Sequence, residues 1–251
     1  TEDGWNLVGN PYPSTIDWES THWVKNNMAN AIYIFNPDTE QYITYVNGAS
    51  PNGGSPLIPS QQSFWVLATG MGPSLIAKEG IKSSVDQPFL KSNQISPGVT
   101  ISVNGFGMSD ECVIRDIEDA NDAYDKEYDA YKIYGNSGTY PFISLINSVN
   151  EDLVVHSFDK EFQEWAIPVK VTVFQNGFYD IIFKDLSELD VPCLKLEDTY
   201  TGEVFSIIEG EAINFELSDT TIEARFILHI GRNYKNLIIP VLCNGDENGS
   251  I

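Results

Sequence analysis

Basic residues, cysteines and histidines are all scarce in this 251-residue chain, and each shortage removes a class of function. Fourteen lysines and arginines face thirty-six aspartates and glutamates, a formal net charge of −22. A surface so acidic repels phosphate backbones and anionic lipid headgroups, which argues against a nucleic-acid partner. No run of about 18 apolar residues occurs, so no membrane-inserted helix is expected. The three cysteines, Cys112, Cys193 and Cys243, are odd in number, far apart and without a CxxC spacing. Neither a disulfide scaffold nor a zinc centre is indicated, although one pair can still form. His22, His156 and His229 stand alone, without an HExxH pattern, and read as surface or strand histidines. Nucleophile and phosphate-binding motifs are missing too. There is no GxSxG and no GxxxxGK[ST], and Gly105-Phe106-Gly107 lacks the third glycine and following helix of a dinucleotide site.

What is present is a folding composition, 42% hydrophobic and 12% aromatic, well above the range of disordered chains. Helical periodicity is nearly absent. Short β-branched and aromatic runs recur between Gly, Pro, Asn and Asp clusters, the pattern of an all-β protein. The predicted architecture is a small aromatic-rich β-domain over residues 1–80, a polar linker at 81–97, and a larger two-sheet antiparallel β-sandwich at 98–232. Residues 233–251 read as a second linker and the start of a following repeat or sorting module, and both ends look like cuts through a longer polypeptide. Residues 1–80 hold only seven acids and two bases, so the second domain carries most of the negative charge. The loop from Asn47 to Pro56 contains prolines that lack a donor and glycines that resist a ladder, and is expected to be exposed.

The opening stretch GWNLVGNPYPSTIDW, Gly4 to Trp18, reads as a first strand followed by a rigid corner, because two prolines remove successive donors. Ten aromatics fall within the first 65 residues. They suit either a sugar-stacking platform or the filling of a small core, and a domain of about 80 residues needs large side chains for its core. On that basis Trp5, Leu7, Ile34, Tyr45, Phe64 and Val66 are expected to be buried.

That stretch, with NAIYIFNPDTEQYITYVNG and LIPSQQSFWVLA after it, resembles a module of large secreted and cell-surface proteins of Bacteroidota, often placed shortly before a C-terminal type IX secretion sorting domain. The later YDKEYDAYK, LEDTYTGEVF and EARFILHI are similar to the β-sandwich half of the same arrangement. The tail VLCNGDENGSI is similar to the opening of repeats in gliding adhesins of that phylum. The resemblance implies export, through a segment outside this chain, to the cell surface or medium. It brings no catalytic residue pattern.

Three functions follow as expectations. The first is a non-catalytic spacer or adhesion module, contacting surface glycans or neighbouring domains of its own polypeptide. The second is a carbohydrate-binding module using Trp18, Trp23, Tyr42 and Trp65. The third is a glycan-active enzyme fragment, which would need only two suitably spaced carboxylates. The segment Asp110–Asp129, with nine acids against two bases, is the densest candidate for chemistry. Asp119, Asp122, Asp125 and Asp129 are candidate Ca²⁺ ligands there, although an EF-hand's spacing and glycine are absent. The alternative for the segment is an internal network of ion pairs and hydrogen bonds. The resemblance marks Asp125, Asp129 and Lys132 within it. Asp219-Thr220-Thr221 resembles the short O-glycosylation motif of exported Bacteroidota proteins and makes Thr220 a candidate acceptor.

Overall fold

A computed structural model describes residues 4–85, 97–135, 138, 140–159, 161, 164–189, 191, 193–217 and 224–231. These residues form an all-β protein: small sheets come first in the chain and one large sheet follows. The first part contains β1 (Trp5–Gly9), β2 (Ile16–Asp17), β3 (Trp23–Asn26), β4 (Ile32–Asn36), β5 (Gln41–Tyr45), β6 (Leu57–Ile58), β7 (Ser63–Leu67) and β8 (Ser74–Ala77). Its main sheet has the order β1-β7-β4-β5, flanked by the short pairs β2-β6 and β3-β8.

Strand alternation gives this sheet two faces. Val8, Ile32, Ile34, Tyr45, Phe64 and Val66 point to one side, where they meet Ile16, Trp18 and Ile58 in a compact core. Trp5, Tyr33, Tyr42 and Trp65 point to the other side, toward the second part of the chain. The expected core residues Ile34, Tyr45, Phe64 and Val66 are buried. Trp5 is only half-buried and Leu7 is 58% exposed. Pairing of Val8 with Phe64 and of Leu7 with Trp65 puts Val8 on the core side and Leu7 on the opposite face, the reverse of the expected facing of this strand.

The second part holds β9 (Val99–Gly105), β10 (Met108–Asp116), β11 (Ala130–Tyr131), β12 (Phe142–Ile146), β13 (Asp152–Phe158), β14 (Trp165–Thr172), β15 (Gly177–Lys184), β16 (Cys193–Asp198), β17 (Glu203–Ser206), β18 (Ala212–Leu217) and β19 (Phe226–Gly231). They join one hydrogen-bonded path, β17-β16-β19-β14-β12-β13-β10-β9-β15-β18, with β11 added on β13. The expected pair of antiparallel sheets is therefore one mixed sheet, since β10 and β13 run parallel. A parallel pair needs a crossover of a dozen residues or more, and the acidic segment after β10 supplies it. The sheet rolls until its ends approach: Phe215 of β18 packs edge-on against Phe226 of β19 with ring centroids 4.9 Å apart, and Arg225 Nη1 donates to the Glu216 carbonyl at 2.6 Å. Rolling encloses a core of Val99, Ile101, Ile143, Val169, Phe183, Phe226 and their neighbours.

The two parts share that core, which also takes in Ala31, Tyr33, Val46 and Ala49. The loop from Asn47 to Pro56 closes the joint. Contrary to expectation it is not an exposed excursion: Ala49, Ser50, Pro51, Gly54 and Pro56 are buried. Gly54 makes this packing possible, because a Cβ there would lie 1.8 Å from the Thr44 carbonyl oxygen. Asn52 then donates through Nδ2 to Asp110 Oδ1 at 2.9 Å and through its backbone to Glu111 Oε2 at 3.1 Å.

Candidate functional site

Where the aromatic face of the small sheet meets the rolled sheet, a groove of about 1210 Å³ opens. Trp5 from β1, Tyr42 from β5 and Trp65 from β7 line one wall; Tyr124, Tyr131 and Tyr134 line the other. All six rings are half-buried. Their placement is a consequence of pleating: in β1, β5 and β7 the apolar residues of the opposite face already fill the small core, leaving these rings to face the neighbour. Tyr124 and Tyr131 stack nearly parallel, with centroids 4.1 Å apart and 16° between planes, and Trp5 sits edge-on to Tyr33 at 5.2 Å.

Several polar groups of the groove are tied to protein partners, whereas Lys126 is exposed. Tyr131 Oη donates to Glu151 Oε1 at 3.0 Å, and Asn147 Nδ2 donates to Glu151 Oε2 at 2.7 Å. Asp152 Oδ2 accepts from Tyr134 Oη at 2.7 Å and from Lys170 Nζ at 2.8 Å. Lys132 is nearly fully buried and forms an ion pair with Asp110, whose Oδ2 also accepts the Ile143 amide at 2.8 Å. Burial, reinforced by Glu151, pushes the Tyr131 phenol up to about 12. Burial likewise raises Tyr124 and Tyr134, the latter next to Asp152. All three phenols therefore stay protonated at neutral pH and act as hydrogen-bond donors. Among the described lining residues there is no histidine, cysteine or serine. The arrangement can hold a ligand between rings, with Glu151 and Asp152 placed as hydrogen-bond acceptors for its hydroxyls.

The four aromatics singled out in the sequence are divided by the fold. Tyr42 and Trp65 line the groove. Trp18 is fully buried, donating Nε1 to the Asn30 carbonyl at 2.7 Å and packing on Phe64 at 5.6 Å. Trp23 leans on Trp18 at 5.1 Å and donates to the Asp17 carbonyl at 2.8 Å. These two belong to a smaller cleft of about 580 Å³ with Lys25. The Lys25 ammonium stands 3.7 Å from the Trp18 ring centre, and burial, partly opposed by Glu127, Glu19 and Asp17, lowers its pKa to about 8.

Of the four candidate calcium ligands, Asp122, Asp125 and Asp129 are engaged by backbone amides and by His156. Asp129 is fully buried and accepts the Asp125 amide at 2.8 Å and the Ser157 amide at 2.7 Å. Asp125 Oδ1 accepts the Glu127 amide at 2.8 Å. Asp122 Oδ1 lies 3.0 Å from His156 Nε2, and the Asp119 amide donates to Asp159 Oδ2 at 2.9 Å. Among the described residues no three acidic, histidine or cysteine side chains converge as a cation site would require. Thr220 lies outside the described residues. Cys112 is a buried free thiol, and burial drives its pKa upward.

Sequence reasoning missed Trp5 as a groove residue, together with Tyr124, Tyr131, Tyr134, Glu151 and Asp152. The tyrosines are embedded in the acidic crossover, where charge density hides aromatic content. The recurrence of Tyr124, Tyr128, Tyr131 and Tyr134 was the available signal.

No protein-family model, curated protein or solved structure matches the chain.

Proposed function

We propose that this chain is a non-catalytic adhesion module and stiff spacer of a secreted or cell-surface protein, with the two halves of its rolled sheet serving as the opposed layers of a sandwich. The observation that carries the reading is the state of the groove. Aromatic rings stay partly exposed along both walls, while Lys132, Glu151 and Asp152 between them are engaged by protein partners. Such a surface retains a ligand, whereas turnover needs an acid, base or nucleophile that can exchange a proton with it. The spacer half of the reading is supported by the shared core and the Asn52–Asp110 contact across the joint.

The resemblance of residues 4–18 and the later blocks to exported Bacteroidota modules supports type IX export through a segment outside this chain. Surface glycans or other domains of the same polypeptide are the partners that such a location presents. The test is to measure binding of the chain to polysaccharide-coated and protein-coated surfaces, alongside a screen of ester, peptide and glycoside substrates. Saturable binding without turnover is the expected result. Turnover abolished by one carboxylate substitution would make the chain an enzyme, and absence of binding to every surface would end the adhesion reading.

A further inference from the structure

The geometry points to a ligand class for the groove: an uncharged oligo- or polysaccharide lying along it. This assignment rests on the adhesion reading and narrows it.

Size is the first argument. A volume of about 1210 Å³ exceeds the roughly 300–1,000 Å³ of ordinary small-molecule pockets, so an extended ligand suits it better than a compact metabolite. Surface chemistry is the second. A pyranose presents an apolar C–H face and a rim of hydroxyls, and the groove presents aromatic rings beside carboxylates. Trp65 and Tyr42 supply rings on one wall, and Tyr131 supplies one on the other. Glu151 and Asp152 already accept protein donors, yet an ionised carboxylate has about four acceptor positions, so each retains capacity for a sugar hydroxyl.

Charge is the third argument, and it excludes acidic sugars. The lining cations are Lys126 and Lys132. Lys132 is committed to Asp110. Lys126 lies 3.9 Å from Glu127. Asp152 is paired with Lys170, but Glu151 is held by Tyr131 and Asn147 without a cation, so a uronate or sulfate would meet that charge, no lining cation without an acidic neighbour, and the field of a molecule with net charge −22. A peptide recognised through its main chain would add to a strand edge. Trp65 stands on β7, which is bonded on both sides, to β1 and β4, whereas β1 and β5 end the sheet, so the peptide arm of the experiment decides between the two ligand classes. Trp18 and Trp23 do not compete as the platform, since Trp18 is buried and Trp23 is packed on it.

The experiment is affinity electrophoresis and calorimetry of the whole chain against soluble neutral glucans, xylans and mannans, polygalacturonate, and an extended peptide pool. Affinity for at least one neutral glycan is expected. Trp65→Ala should weaken it about ten-fold or more, and Tyr131→Phe, which keeps the ring, should leave it within about three-fold if stacking dominates. A cooperative melt of Trp65→Ala is the folding control; should that variant fail to fold, Tyr42→Ala takes its place with the same expectation. Binding of polygalacturonate in preference to every neutral glycan would overturn the charge argument and leave adhesion standing. Binding of peptide but no saccharide would overturn the glycan assignment. Unchanged glycan affinity in both Trp65→Ala and Tyr42→Ala would remove it from this groove. Adhesion itself fails only if the surface assay is also blank.

Discussion

His156 is fully buried between two carboxylates, with Nε2 3.0 Å from Asp122 and Nδ1 4.0 Å from Asp129. Burial pulls its pKa down, but the hydrogen bond to Asp122 and the charges of Asp122 and Asp129 outweigh it and raise the group to about 9. Because the folded value lies above the unfolded value of about 6.5, the stabilisation is complete below that pH and is lost as pH rises through the folded value. Denaturant titrations at about pH 6 and about pH 10 should differ by on the order of 2–3 kcal/mol through this residue. His156→Gln should remove most of that difference, whereas an unchanged pH slope in the variant would show that the imidazole is neutral throughout. Its neighbour Asp129 is the residue on which the two readings of the acidic segment part. With two backbone amides donating to it and His156 beside it, Asp129→Asn should cost about 3–5 kcal/mol, the scale for breaking a buried charge network. Millimolar Ca²⁺ should leave the melting temperature of the parent unchanged. A rise with Ca²⁺ that Mg²⁺ does not reproduce would instead mean that these carboxylates bind a cation. None of this pairing was readable from the chain, where His156 and Asp122 are 34 residues apart and only a general alternative of ion pairs and hydrogen bonds could be stated.

Strands were more legible than single contacts, and the reason is periodicity. In Phe226–Gly231 the alternation of Phe226, Leu228 and Ile230 with Arg225 and His229 appears as buried against half-exposed positions, as a half-buried strand dictates. Two-residue pairings such as Ile16–Asp17 with Leu57–Ile58 are too short to leave a period and went unseen. The first strand misled for a different reason. Both of its faces carry apolar residues, so alternation cannot say which set faces the core. The groove inherits that ambiguity, because Trp5 and Trp65 look like core residues in any sequence window. The registration makes a direct test: Leu7→Thr should change stability by no more than about 0.5 kcal/mol, while Phe64→Ala should cost about 3–5 kcal/mol, both read from chemical denaturation. A large loss at Leu7 would mean that its 58% exposure is not the state in solution. The loop from Asn47 to Pro56 shows the same limit from the opposite direction. Pro and Gly correctly rule out a ladder, yet they also permit the close approach that lets this loop pack, and composition cannot separate the two uses.

Across the whole molecule the joint between the small sheet and the rolled sheet decides whether the protein behaves as one body. Arg115 of β10 is the buried cation at its centre. Its Nη1 donates to the carbonyls of Val46 at 3.2 Å and Asn47 at 3.0 Å, in the first part of the chain. Its Nη2 donates to the Tyr128 carbonyl and its Nε to Ser157 Oγ at 3.3 Å. Burial lowers its pKa, against the pull of Asp129, to about 10, so it remains charged at neutral pH. A planar fork reaches carbonyls on both sides of the joint at once, and an ammonium cannot reproduce that geometry. Arg115→Lys should therefore be destabilising, and Arg115→Ala should cost about 3–5 kcal/mol, because three carbonyls and the Asp129 charge lose their partner together. Lys184, half-exposed and 3.9 Å from Glu111, supplies the control: Lys184→Ala should be near neutral, as for an ordinary surface pair. Calorimetry reads the coupling itself. With Tyr33, Val46 and Ala49 in the same core as Val99 and Ile143, the parent should melt in one cooperative transition. Arg115→Ala should broaden or split that transition and weaken ligand binding in the groove, since the groove's two walls come from opposite sides of the joint. Two separate transitions already present in the parent would mean that the parts fold independently, and a stiff spacer would then lose its physical basis.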